Sequence, residues 1–169
     1  MANSPRRVCW DACVWIALIQ DERIIEDGLE RSTRCKTVLE EAKKGKIEVV
    51  ISALCLAEVC KNKGVADTDP QKIAAFFEHE YILVVSLDTT IGNRARELMM
   101  SGIPGLRPQD ACHIATALIA PDVTEFHTFD TDLLKLSGQL AKSDGSKLKV
   151  CYPDVGPPMG PLLAEGRTP

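Results

Sequence analysis

The chain predicts an α/β fold, a parallel β-sheet of about five strands flanked by helices on both faces. Three observations carry this. Short apolar runs recur along the chain, among them "IEVVIS", "YILVVS", "EFHTF" and "LKVCY". Helical segments separate most of them, which is the pattern of a parallel sheet covered on both sides. The length, 169 residues, suits one domain with a single sizeable core.

Each element follows from local pattern. Residues 6–10 form a strand that stops at Asp11, and residues 12–20 read as a helix ended by the charged "DER". In "LERSTRCKTVLEEAKKG" (29–45), Leu29, Cys35, Val38, Leu39 and Ala42 recur at helical spacing, and Gly45 is the stop. "IEVVIS" (47–52) is a strand, and Ser52 is placed to cap the helix "ALCLAEVCKNK". "VADTDPQ" is a loop, and Pro70 suits the first turn of a helix that runs to Glu80. "YILVVS" (81–86) is the next strand, after which Asp88 or Thr89 caps a helix reaching Met100. "RPQDACHIATALIA" (107–120) is a helix entered through Pro108. "EFHTF" (125–129) is a strand, "DTDLLKL" a turn and short helix, and "LKVCY" (148–152) the last strand. Residues 1–152 make one domain, and 153–169 form a Pro/Gly-rich tail.

Composition is that of an ordinary globular protein, with 45% hydrophobic and 26% charged residues and a net charge of −4. No Lys/Arg block marks a nucleic-acid partner, yet an acidic protein can carry a local basic rim around an acidic site. The seven cysteines are odd in number, several lie in apolar segments, and no Cys-x-x-Cys pair occurs. They read as reduced core residues of a cytoplasmic protein. No signal-peptide pattern and no apolar run of about 18 residues is present, so no membrane partner is expected.

The chemistry lies in the acids. Asp11 interrupts the apolar run "VCWDACVWIALIQ", and a charge there needs a cap, a cation or a metal to offset its desolvation. Asp130 follows "EFHTF" directly, so both acids fall at the carboxyl edge of the sheet, where α/β folds bind ligands. Glu58 sits on the apolar helix "ALCLAEVC", and Asp110 in the first turn of "PQDACHIATAL". Singly each has an ordinary reading: Asp11 and Asp110 as helix caps or first-turn acids, Glu58 as a solvated residue, Asp130 as a turn former. Drawn together, four carboxylates repel, and a divalent cation with oxygen ligands offsets this directly. On this reading, neutralising Asp110 relieves repulsion and leaves the metal-free protein no less stable.

Strand–Asp11–helix, then "ISALCLAEV", "RPQDACHIATAL" and "HTFDTDLLKL", in this order and spacing over residues 6 to about 151, resemble the PIN-domain nucleases, whose best-known small members are the bacterial VapC-type toxins. The resemblance implies a PIN-like three-layer sandwich and a metal-dependent ribonuclease acting on RNA. It implies that Asp11, Glu58, Asp110 and Asp130 form the catalytic and metal-binding cluster for Mg²⁺ or Mn²⁺, with Asp132 as an auxiliary ligand and Thr128 orienting a carboxylate or water. It also implies an antitoxin protein lying over the acidic groove, and a homodimer. Cys13 departs from the pattern, since many relatives carry Ser or Thr there and a thiol is the poorer hydrogen-bonding group. That departure keeps open an RNA- or protein-binding module with weak or no cleavage. A phosphorylated receiver domain, a third class, is disfavoured because the first strand supplies one acid rather than two and no Lys follows the last. His113 reads as a packed or surface residue.

Overall fold

The computed structural model describes residues 4–61, 63–67 and 69–156. In chain order its elements are β1 (Arg6–Trp10), α1 (Ala12–Ile19), β2 (Ile25–Glu26), β3 (Leu29–Glu30), α2 (Arg31–Lys43), β4 (Ile47–Ser52) and α3 (Leu54–Glu58). A 3₁₀ turn at Val59–Lys61 leads to α4 (Lys63–Ala66), α5 (Pro70–Phe77), β5 (Ile82–Val85), α6 (Thr89–Met100) and α7 (Pro108–Ile119). The chain closes with β6 (Val123–His127), α8 (Thr131–Leu134) and β7 (Lys149–Cys151).

The main sheet has five strands in the order β5-β4-β1-β6-β7, every neighbouring pair parallel. Side chains alternate across a strand, so a sheet covered twice must be apolar on both faces. β1 shows this residue by residue. Val8 and Trp10 enter the core that also holds Trp15, Val38 and Ile51, while Cys9 enters the core that holds Phe126, Ile114 and Leu148. The first core lies under α1 and α2, the second under α6 and α7. Full burial of one such side chain, Phe126 for instance, stabilises the fold by about 1.5–3 kcal/mol.

Several expectations shift. The helix expected from residue 29 starts at Arg31, because Leu29 and Glu30 pair with Ile25 and Glu26 in a hairpin turned by Asp27 (φ 48°) and Gly28 (φ 80°). Leu29, expected on the apolar face, is 49% exposed. The helix after β4 is shorter: α3 ends at Glu58 and tightens into the 3₁₀ turn, with Ser52 Oγ accepting from Leu54 N at 3.3 Å. The helix opened by Pro70 stops at Phe77 rather than Glu80, and Asp69 caps it through Gln71 N. The strand expected at 125–129 runs from Val123 to His127, which places Thr128 and Phe129 between it and Asp130. Of the expected tail, residues 153–156 pack on the body. Pro153 is buried, Val155 joins the first core, and Arg6 Nη2 donates to Asp154 O at 2.7 Å. The remainder, 157–169, lies outside the described residues.

Candidate active site

β1 ends at Trp10, and Asp11 is the N-cap of α1. Its backbone N–H extends the ladder to His127 O at 3.0 Å, so Asp11 is pinned to the end of β6 as well. The side chain is buried. Oδ1 accepts from Ala12 N at 2.7 Å, and Oδ2 accepts from Thr128 Oγ1 at 2.8 Å and from the Cys13 thiol at 3.2 Å. Burial pushes the Asp11 pKa up; the charge of His113 and the hydrogen bonds from Thr128 and Cys13 act the other way, and Asp110 adds to the rise. The cap therefore explains one oxygen. The other is held by a hydroxyl and a thiol, and no Lys, Arg or His bonds Asp11 among the described residues.

Asp130 is set by the same hydroxyl. Its backbone N–H donates to Thr128 Oγ1 at 3.0 Å, and its Oδ1 caps α8 by accepting from Asp132 N at 2.8 Å and Leu133 N at 3.4 Å. Thr128 can face Asp11 because Phe129 turns inward: its ring is buried in the first core, with the Arg31 guanidinium 4.8 Å above it. Phe129 N also donates to Cys13 Sγ at 3.2 Å. A thiol thus takes the place expected of a hydroxyl and still joins the two segments.

α7 runs back beneath the sheet with its N-terminus at the same edge. Asp110, in its first turn, is buried and caps the helix start in one direction: the Arg107 backbone N–H donates to Oδ2 at 3.3 Å, and an arginine side chain has no acceptor to return the bond. The Arg107 side chain adds a two-pronged ion pair, Nε to Oδ2 at 2.7 Å and Nη2 to Oδ1 at 3.1 Å. Nη2 also reaches Asp130 Oδ2 at 3.4 Å, and the charge of Asp11 acts on the same guanidinium. Arg107 therefore joins Asp110 to Asp130, and Thr128 joins Asp130 to Asp11, so the structure brings the three acids to one edge of the sheet.

Glu58 lies at the border of this group. Its Oε2 forms a hydrogen bond with His113 Nε2, and its Oε1 accepts from Lys61 Nζ at 2.8 Å. The His113 bond and then Lys61 hold the Glu58 pKa down at about 2, against the effect of burial. Asp132 is peripheral: its side chain is exposed and paired with Lys135 Nζ at 2.7 Å, which lowers its pKa.

Sequence reasoning left two residues of the site without a role. His113, expected to be packed or at the surface, is buried and bonded to Glu58, with Nδ1 lacking a partner among the described residues. Its signal was the three-residue step from Asp110, which puts both on one helix face. Arg107 was visible only as a nearby cation, because its second contact crosses 23 residues to Asp130.

Among the described residues, the group of ligand-type atoms lying within 4.8 Å of one another is Glu125, His127 and Cys151, not the predicted acids. Trp10 Nε1, which can only donate, reaches His127 Nδ1 at 3.1 Å. Nδ1 must then accept, the proton sits on Nε2, and Nε2 donates to Glu125 Oε2 at 3.0 Å. Arg6 at 3.4 Å and Lys149 at 3.2 Å neutralise Glu125 Oε1. Burial pushes the Cys151 thiol up to about 12. This is a closed polar network with its cations already supplied. The acids at the carboxyl edge, by contrast, offer oxygen donors only and include a buried carboxylate without a bonded cation, a set that suits a hard divalent ion.

Comparison with known proteins agrees with this architecture. The PIN domain family model matches residues 8–139. In structure the chain is similar to Mycobacterium tuberculosis VapC20, a toxin that cleaves the sarcin–ricin loop, with a TM-score of 0.53 and 17% identity over 74% of this chain and 91% of that one. A search of curated proteins finds no match. The family match spans every acid of the edge cluster, and on it the chain belongs to the PIN-domain family.

Proposed function

We propose that the protein is a divalent-metal-dependent endoribonuclease, the toxin of a toxin–antitoxin pair. The observation that carries this is the gathering of Asp11, Asp110 and Asp130 at the carboxyl edge of the sheet, with buried Asp11 bonded to no cation among the described residues. Family membership and the likeness to an RNA-cleaving toxin support it.

When bound, Mg²⁺ or Mn²⁺ supplies positive charge that readies water for attack at phosphorus and offsets the charge of the departing oxygen. The side chains of this chain do the rest. Asp11, Asp110 and Asp130 would hold the ion. Thr128 fixes the Asp11 carboxylate and the Asp130 backbone with one oxygen, so the two acids keep their spacing. Glu58, held at about 2 by His113 and Lys61, stays an anion at working pH and would face the site as a carboxylate that does not keep a proton. Asp132 would serve as an auxiliary ligand from the rim, where its carboxylate is now paired with Lys135.

The substrate class is RNA, and the partners are an antitoxin over the acidic groove and a second copy of this chain. Exposed Met100 and Met99 on α6 offer apolar surface for the dimer. No helix among the described residues is long and apolar enough to cross a membrane, and the site of action proposed is the cytoplasm. The test is cleavage of end-labelled single-stranded RNA by the purified protein in Mn²⁺ and in EDTA, with Asp11→Asn alongside. Cleavage that needs Mn²⁺ and is lost in the variant is expected. RNA binding without cleavage in any metal would favour the binding-module alternative, which Cys13 keeps in view. Light scattering that gives a monomer at micromolar concentration would overturn the dimer.

A further inference from the structure

We propose that Arg107 is a two-position cation: it bridges Asp110 and Asp130 when the site holds no metal, and moves to an RNA phosphate when a divalent ion takes those carboxylates. The inference rests on the metal-dependent reading above and adds a residue that reading does not use.

Three observations carry it. The first is reach. A capping pair at the start of α7 needs Arg107 and Asp110 only, yet Nη2 extends to Asp130 on a different segment, at 3.4 Å. The second is geometry. The guanidinium engages both oxygens of Asp110, at 2.7 Å and 3.1 Å, and the Arg107 backbone N–H adds a second bond to Oδ2, so one lone pair on Oδ1 is what Asp110 keeps for a metal while Arg107 stays. The third is exposure. The Arg107 side chain is 65% exposed, whereas that of Asp110 is 8% exposed. One partner is fixed and the other sits on the rim with open solvent beside it. A dication entering between the carboxylates repels a guanidinium a few ångströms away and outcompetes it for the oxygens. The displaced fork retains its charge and its five donors, which match a phosphate. It would lie next to the position where metal and scissile phosphate meet.

Arg107→Gln separates this from a capping role. Mn²⁺ affinity, read from the free-ion EPR signal, is expected to tighten on the order of tenfold in the variant, because the competing cation is gone. Binding of a phosphorothioate single-stranded oligonucleotide is then followed against salt. In Mn²⁺ the variant's log–log slope is expected to be shallower than the parent's by about 0.7, one phosphate contact on a single strand. In EDTA the two slopes are expected to coincide, since Arg107 is then held by carboxylates. Arg107→Lys keeps the charge without the fork and is expected to restore the Mn²⁺-dependent slope while leaving Mn²⁺ binding tighter than in the parent. Equal Mn²⁺ affinity in parent and Arg107→Gln overturns the inference alone. So does a slope difference that is the same with and without metal. A parent that binds no Mn²⁺ overturns the metal-dependent reading as well. Thermal melts confirm that each variant is folded.

Discussion

The Thr128 hydroxyl donates to Oδ2 of Asp11 at 2.8 Å across 117 residues of sequence, and the same oxygen accepts the backbone N–H of Asp130. Two acids from opposite ends of the domain thus share one small side chain. Thr128→Val keeps the shape and removes the oxygen. It leaves a buried carboxylate oxygen with a thiol partner and a backbone N–H with none. A loss of about 1–3 kcal/mol in urea unfolding is expected, together with a further rise in the Asp11 pKa. Carboxyl NMR through a pH titration reads the latter.

Asp110→Asn is expected to abolish Mn²⁺-dependent cleavage. Its effect on stability reverses the expectation drawn from sequence. Relief of repulsion would leave the metal-free protein no less stable, but Asp110 already faces a two-pronged guanidinium and caps its own helix. Unfolding in EDTA is therefore expected to show a loss of about 0.5–1.5 kcal/mol, the pair being partly solvated. An unchanged or higher midpoint would restore the repulsion argument.

Acid stability follows from two glutamates. The His113 bond and Lys61 hold Glu58 at about 2. Burial pushes Glu125 up, but the His127 bond and the charge of Arg6 outweigh it and hold Glu125 at about 2 as well. Both values lie below the ordinary 4.5, so the folded state binds these protons less readily than the unfolded chain. Their contribution is complete above about pH 4.5 and is lost as pH falls toward 2. Within that window each adds a slope of at most about 1.4 kcal/mol per pH unit. Urea midpoints at pH 5, 4 and 3 test this, and Glu125→Gln is expected to flatten the curve.

His127→Phe separates the ligand-like cluster from the proposed metal site. It removes the acceptor for Trp10 Nε1 and the donor to Glu125 in a fully buried place. The expected cost is about 2–4 kcal/mol, from two broken buried hydrogen bonds. Mn²⁺ affinity is expected to stay at the parent's value. A tenfold loss of Mn²⁺ or Zn²⁺ binding would make Glu125, His127 and Cys151 a metal centre after all.

The parts of the molecule legible in sequence were those fixed by local pattern. Asp11 was placed correctly because an apolar run that stops at a carboxylate and resumes as a helix leaves one position for the acid. Asp110 was legible for the same reason at Pro108. The hairpin at 25–30 was missed although Asp27-Gly28 is a strong turn signal, because Leu29 also fitted the helical period of Cys35, Val38 and Ala42. The end of β6 was displaced by two residues because Phe129 is apolar in a strand-like run, and only packing shows its ring serving the core rather than the ladder. The Glu58–His113 and Arg107–Asp130 pairs span 55 and 23 residues, and nothing local announces them.

The central place of β1 in the sheet has a consequence for synthesis. The strand made first is flanked by β4 on one side and by β6, made near the end, on the other. A nascent chain that has released Asp11, Glu58 and even Asp110 still lacks the partner strand and Thr128. The acidic edge closes only when the segment from Val123 to Asp130 adds itself beside β1. A chain that is still being translated therefore carries Asp11, Glu58 and Asp110 before it has the strand and the hydroxyl that set Asp11 beside Asp130.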